Sequence, residues 1–235
     1  MYKEYKLKAP FFEFGPKAYM YGNELLELVK AIDECAIKYD IDVILDPQTI
    51  DIRMLVENTK RVQLYAQHMD SIPVGRGMGT ILPEALKETG AVGVLLNHAE
   101  QKLSFEEIEK TIHRADEVGL ASMVCADTIE EMRTIAGFAP NIIVAEPTEL
   151  IGTGQTSSME YVQESLDIVK AVNPEIHVLQ GAGISDGTDV YNVIKAGADA
   201  TGSSSGIVKA SDPAAMAEEM IAAVRRAWDE RQSVL

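Results

Sequence analysis

Short apolar runs recur along the chain, each followed by a stretch whose apolar positions fall three and four apart, and this alternation predicts strand and helix in turn. The first strand candidate covers 11–14, and Gly15, Pro16 and Lys17 end it. Asn23 then precedes an amphipathic helix with Leu25, Leu26, Leu28, Val29, Ile32 and Cys35 on its broad apolar face. Strand 41–45 stops at Asp46-Pro47, and Asp51 opens a short helix to about Val56. Next come strand 62–66, a loop with Gly75, Gly77 and Gly79, and a helix begun near Pro83, where a first-turn proline costs nothing. Run 91–96 is apolar throughout, as a strand buried on both faces must be, and Asn97, His98 and Glu100 lie just past it.

Ser104 and Glu107 make a capping box for a helix to Val118, which Gly119 closes. Strand 121–126, helix 128–136, strand 142–145 and helix 158–172 follow. Strand 176–179 ends in Gly181-Ala182-Gly183 and leads to helix 187–196. A last short strand, 199–201, ends in Gly202-Ser203-Ser204-Ser205-Gly206, and Asp212-Pro213 starts the terminal helix. About eight strand-then-helix units with short connections predict neighbouring parallel strands, and eight such units close into a single (β/α)8 TIM barrel over 1–235. The open doubly wound sheet is the other arrangement to weigh. Its fingerprint, a glycine-rich first turn with an acidic residue about twenty positions on, is absent.

Composition narrows the partners. With 21 lysines and arginines against 37 aspartates and glutamates, the formal net charge is −16, which repels nucleic acid and anionic membrane. A small phosphate remains compatible, because backbone amides carry local positive potential whatever the net charge. Cys35 and Cys125 each sit in an apolar segment, so reduced core thiols are expected. The start, Met-Tyr-Lys-Glu-Tyr, has no apolar core after its charges, and no apolar segment is long enough to span a bilayer. A cytoplasmic protein is the expectation.

Segment 144–154, Val-Ala-Glu-Pro-Thr-Glu-Leu-Ile-Gly-Thr-Gly, holds the most suggestive chemistry. The proline pushes Glu146 toward extended geometry at the last step of a strand, and Gly152 and Gly154 offer a hinge or bare amides. Taken alone, these residues describe a strand end and an ordinary glycine turn. In a barrel, however, the active site lies at the C-terminal ends of the strands. That filter sets aside His113, mid-helix, and His177, at a strand start, and keeps His68 and His98, each open to a packing or a functional role. It also keeps Lys17, otherwise an ordinary loop lysine. The small-residue loops at 181–183 and 202–206 stand after strands seven and eight, where such barrels bind phosphate.

Several motifs now coincide: Lys17-Ala18-Tyr19, Tyr65-Ala66-Gln67-His68, Leu82-Pro83-Glu84-Ala85, Leu96-Asn97-His98-Ala99-Glu100 and Met123-Val124-Cys125. With Glu146-Pro147-Thr148-Glu149-Leu150-Ile151-Gly152-Thr153-Gly154, Gly181-Ala182-Gly183-Ile184-Ser185 and Ser205-Gly206-Ile207-Val208-Lys209-Ala210, they run over nearly the whole chain. The chain resembles the triosephosphate isomerases, in particular the shorter archaeal type. The resemblance implies that Glu146 is the base, His98 the neutral electrophile and Lys17 the cation that stabilises an enediolate. It implies phosphate binding at Gly152, Gly183, Ser205 and Gly206, support from Glu100, no metal and no organic cofactor. It further implies a small phosphorylated sugar as substrate, a role in glycolysis and gluconeogenesis, and assembly as a homodimer or homotetramer.

Three positions depart from the family pattern. An asparagine two residues before the lysine is here Gly15, a threonine that crosses to the neighbouring subunit aligns with Met78, and the serine after the histidine is Ala99. Each change removes a hydrogen-bonding group. The sequence therefore supports three readings: interconversion of dihydroxyacetone phosphate and D-glyceraldehyde 3-phosphate, isomerisation of another short sugar phosphate such as a tetrulose phosphate, and a phosphate-binding module without catalysis.

Overall fold

The computed structural model of the protein describes residues 1–151, 153 and 156–233. The strands β1 (Phe11–Phe14), β2 (Asp42–Leu45), β3 (Gln63–Ala66), β4 (Gly93–Leu96), β5 (Ala121–Ala126), β6 (Ile142–Ala145), β7 (His177–Gln180) and β8 (Ala200–Ser203) pair parallel in chain order. β8 returns to β1 and closes the barrel, the (β/α)8 fold that the alternation predicts.

Around it run α1 (Gly22–Tyr39), α2 (Ile52–Asn58), α3 (Pro83–Glu88), α4 (Phe105–Val118), α5 (Ile129–Gly137), α6 (Met159–Val172), α7 (Gly187–Lys195), α8 (Ser205–Val208) and α9 (Pro213–Gln232). The caps follow the sequence signals closely. Ser104 accepts the Glu107 amide at the start of α4, and Gly119 ends that helix in the left-handed region at φ 76. Asn23 does not precede α1. The helix starts at Gly22, and no side chain caps it; the Gly22 amide donates instead to Asp51 Oδ2 at 2.8 Å, a partner remote in sequence.

Strand alternation sorts the core into two layers. Phe11, Ile44, Tyr65, Leu95, Met123, Cys125, Ile142, Val144, Leu179 and Ala200 fill the barrel interior. Phe12, Phe14, Val43, Leu45 and their counterparts pack outward under the helices. Buried on both faces, the strands are apolar almost throughout, and Glu13 in β1 is a conspicuous exception. Cys35 and Cys125 are free and buried. Among the described residues no helix is long and apolar enough to cross a membrane.

Candidate active site

A cleft of about 760 Å³ opens at the C-terminal ends of the strands, and Lys17, His98 and Glu146 all border it. Each is delivered by a strand end. Glu146 stands one residue beyond β6 rather than within it, yet its amide donates to Ala126 O at 3.0 Å and so continues the ladder. Its carboxylate is largely buried, and burial raises its pKa above the ordinary glutamate value, while Lys17 and Lys102 pull the other way. The result is a stronger base than an exposed glutamate.

His98 is aimed by its neighbour. Asn97 adopts φ 59, its Nδ2 donates to Cys125 O at 2.9 Å, and its Oδ1 accepts the Leu103 amide at 2.9 Å. Asparagine tolerates that left-handed backbone, so the turn after β4 is fixed from both sides. The amide of Glu100 donates to His98 Nδ1 at 3.1 Å, which makes Nδ1 an acceptor and leaves the proton on Nε2. Burial, then the nearby Lys17, lowers the imidazole pKa, so the ring is neutral near pH 7 and Nε2 is a hydrogen-bond donor. His98 Nε2 lies 3.8 Å from Glu146 Oε2.

Lys17 occupies the left-handed region at φ 51, an unusual conformation for a lysine that the surroundings impose. Its carbonyl accepts from Gln48 Nε2 at 3.0 Å and from Gln67 Nε2 at 3.1 Å, and its ammonium pairs with Glu100 Oε1 at 2.6 Å. That hydrogen bond lowers the pKa of Glu100. A buried base, a neutral N–H donor and an ammonium thus face one void. They can remove a proton beside a carbonyl while the oxygen is polarised.

Gly183, Ser205 and Gly206, which follow β7 and β8 between the strands that carry Glu146 and Lys17, also border the cleft. The amides of Ser205 and Gly206 lie in the first turn of α8, where helix geometry gives N–H groups no partner within the helix. Ser204 Oγ is buried there without a hydrogen-bond partner among the described residues. Gly152 and Gly154 lie outside the described residues; Ile151 and Thr153 beside them border the cleft.

His68 is not brought to the cleft; it lies 3.5 Å from Asp70. Of the three departures only Gly15 borders the cleft, while Met78 is fully exposed in the loop before α3 and Ala99 lies outside the lining. Among the lining residues that escaped the sequence reading as site candidates are Glu13, Asp46, Gln48, Gln67 and Gln101. For Glu13 the signal was a lone carboxylate in the aromatic run Phe-Phe-Glu-Phe, and for Asp46 it was Asp46-Pro47, which repeats the carboxylate-proline step of Glu146-Pro147.

Comparison with known proteins agrees with this geometry. The triosephosphate isomerase family model matches residues 15–220. The triosephosphate isomerase of Sulfurisphaera tokodaii is 35% identical over 232 residues, covering 96% of this chain and all of the relative. That of Methanocaldococcus jannaschii is 37% identical over 203 residues, covering 85% and 92%, and that of Saccharolobus solfataricus 35% over 227 residues, covering 94% and 99%. The chain belongs to the triosephosphate isomerase family.

Proposed function

We propose that this protein interconverts dihydroxyacetone phosphate and D-glyceraldehyde 3-phosphate, with Glu146, His98 and Lys17 carrying the reaction. The Glu146 carboxylate takes a proton from C1, the C1–C2 bond gains double-bond character, and the electron pair of the C2 carbonyl moves onto its oxygen. His98 Nε2–H and Lys17 stabilise that oxygen. The proton of the C1 hydroxyl passes to the C2 oxygen, Glu146 returns its proton to C2, and the aldehyde forms at C1. No oxidant, reductant or external proton is consumed. A neutral imidazole serves better here than an imidazolium, because its higher pKa matches the weakly acidic enediol and it does not quench the nearby carboxylate.

The observation that carries the reading is the 3.8 Å approach of His98 Nε2 to Glu146 Oε2 across a void that Lys17 also borders. We assign the phosphate to the amides of Gly183, Ser205 and Gly206, with Gly152 the family's fourth contributor and Glu100 holding Lys17. An assay on purified protein, coupling glyceraldehyde phosphate formation to a dehydrogenase, tests this; triose phosphate turnover is expected, and its absence overturns the reading. Of the three departures that would motivate a tetrulose phosphate, Met78 and Ala99 stand away from the cleft, and Gly15, which borders it, adds no space because the Glu13 carboxyl fills the position of its missing side chain.

The rest of the assignment follows the same reading. Residues 1–235 form one domain, supported by the closure of all eight strands in one barrel. The protein works in the cytoplasm, supported by two buried unpaired thiols. It assembles as a homodimer or homotetramer, supported by the exposed Val74 and Met78 on the loop before α3.

A further inference from the structure

Of the three residues assigned to the reaction, Lys17 alone has a positive φ. A turn runs from Pro16 to Tyr19, closed by the Tyr19 amide donating to Pro16 O at 3.0 Å, and Lys17 is its second residue at φ 51. Turns with a positive φ at that place are normally built on glycine, asparagine or aspartate. Asn97 enters the same region with a residue type suited to it. Lys17 has no such help from its own side chain, because its ammonium is committed to the cleft, where it pairs with Glu100 Oε1 at 2.6 Å.

The restraint comes from two glutamines that the reaction above does not use. Gln48 stands three residues past β2 and Gln67 one residue past β3, and both border the cleft. Gln67 Nε2 donates to Lys17 O at 3.1 Å and to Asp46 O at 2.8 Å, while Gln48 Nε2 donates to Lys17 O at 3.0 Å and to Gln67 Oε1 at 3.1 Å. Every amide hydrogen of the two side chains is thus placed, and neither group can be turned end for end, since a flip would set oxygen against oxygen. Neutral donors suit the spot. The Glu13 and Asp46 carboxyls beside it hydrogen-bond to each other and share a proton, and a cationic donor would be drawn to them, whereas an amide serves the Lys17 carbonyl and leaves them undisturbed.

We propose that Gln48 and Gln67 are positioning residues: they clamp the Lys17 carbonyl, hold the backbone in the left-handed region and so keep the ammonium on the cleft. The role of that ammonium rests on the isomerase reading, and the first test therefore reads stability rather than turnover. Lys17→Gly and Lys17→Ala are compared by melting temperature in the full chain. Only alanine bears the left-handed penalty, so the glycine variant should melt about 2 to 4 °C higher. With Gln48→Met and Gln67→Met added together, which keep the length and lose the donors, the backbone relaxes and the glycine advantage should vanish or reverse. Should that combination fail to fold, Gln67→Met alone decides, because it breaks the bonds to both Lys17 and Asp46, and the advantage should then fall by about half or more.

With Lys17 intact, the same glutamine replacements should lower kcat/KM by about tenfold to a hundredfold, the scale of a misplaced reacting group. The acid midpoint of kcat/KM should also move up, because Lys17 is the foremost of the charges that hold the Glu146 pKa down against burial, and a loss of rigidity alone would leave that midpoint in place. A glycine advantage that is missing with the clamp intact, or undiminished without it, would overturn the proposal, as would folded glutamine variants that turn over at the wild-type rate. Loss of the advantage without triose turnover in the wild type would sink the isomerase reading alone, whereas turnover with an undiminished advantage would sink only the clamp.

Discussion

The ionisation of single residues decides how this cleft works. In the proposed mechanism Glu146 acts only when deprotonated, and its pKa is raised by burial. As pH falls through that raised value the base is lost, so kcat/KM should decline with an acid midpoint above the ordinary glutamate range; a midpoint at or below that range would contradict the burial argument. Asp46 gives a stability counterpart. Its folded pKa of about 7 exceeds the unfolded value, so its ionisation weakens the fold above that pH and the penalty fades as pH falls toward 4. Asp46→Asn should therefore raise the melting temperature more at pH 8 than at pH 5, and an equal shift at both would count against this account.

Single residues also show where sequence reading stopped. The placement of Lys17, His98 and Glu146 at strand ends was legible because each lies one to three residues past an apolar run, whereas their roles rest on the family resemblance. Glu13 was not legible. Its partner Asp46 is remote in the chain, and the space it needs is created by Gly15 and Gly202, so only the closed barrel reveals the pair. Gly15 looked like a lost side chain, and the space beside it is filled by Glu13, two residues earlier in the chain. Restoring a side chain there with Gly15→Asn should impair substrate binding, because the new Cβ would crowd Glu13 Oε1 at 2.8 Å.

At the scale of elements, β1, β5 and β6 begin and end where their runs predict, whereas the wholly apolar run at 91–96 is strand only from Gly93. β8 was not so clear. Its Thr-Gly-Ser ending carries little apolar signal, and the glycine is required by Glu13 on the adjacent strand, so the stretch read as one loop; it contains the end of β8 and the start of α8. The opposite, N-terminal end of the barrel offers an element-scale test. Asp199 precedes β8 and ties it to its neighbours by accepting from Lys170 Nζ of α6 at 2.8 Å and from the Val178 amide of β7 at 3.0 Å. Burial opposes its ionisation, but His177, Lys170 and the amide outweigh it and hold the pKa at about 2. A depressed carboxylate pKa contributes stability that is present above the unfolded value and lost as pH falls from about 4 through about 2. Asp199→Asn should cost about 2 kcal/mol at pH 7 by chemical denaturation with kcat unchanged, and a cost below about 0.5 kcal/mol would show that the tie is dispensable.

At the scale of the whole molecule, the barrel separates stability from chemistry. The layer between strands and helices is apolar, while the mouth collects the buried carboxyls, the neutral imidazole and the strained lysine. A net charge of −16 disfavours long-range steering of an anion, so the proposed phosphate site relies on local amides and on Lys17. Val74 and Met78 on the loop before α3 are the surface features that argue for assembly. Light scattering should give a mass above one chain, and Met78→Asp should shift it toward the monomer; a monomeric wild type would contradict the inference.

The central claim is that Glu146 moves the proton in a working isomerase. The most direct measurement is kcat/KM for dihydroxyacetone phosphate in the wild type and in Glu146→Gln, with inorganic phosphate binding measured alongside. The account predicts a loss of about 10³-fold in the variant, the scale of a positioned general base, with phosphate affinity unchanged. A variant that turns over at the wild-type rate, or a wild type that binds phosphate and never isomerises the sugar, would contradict it.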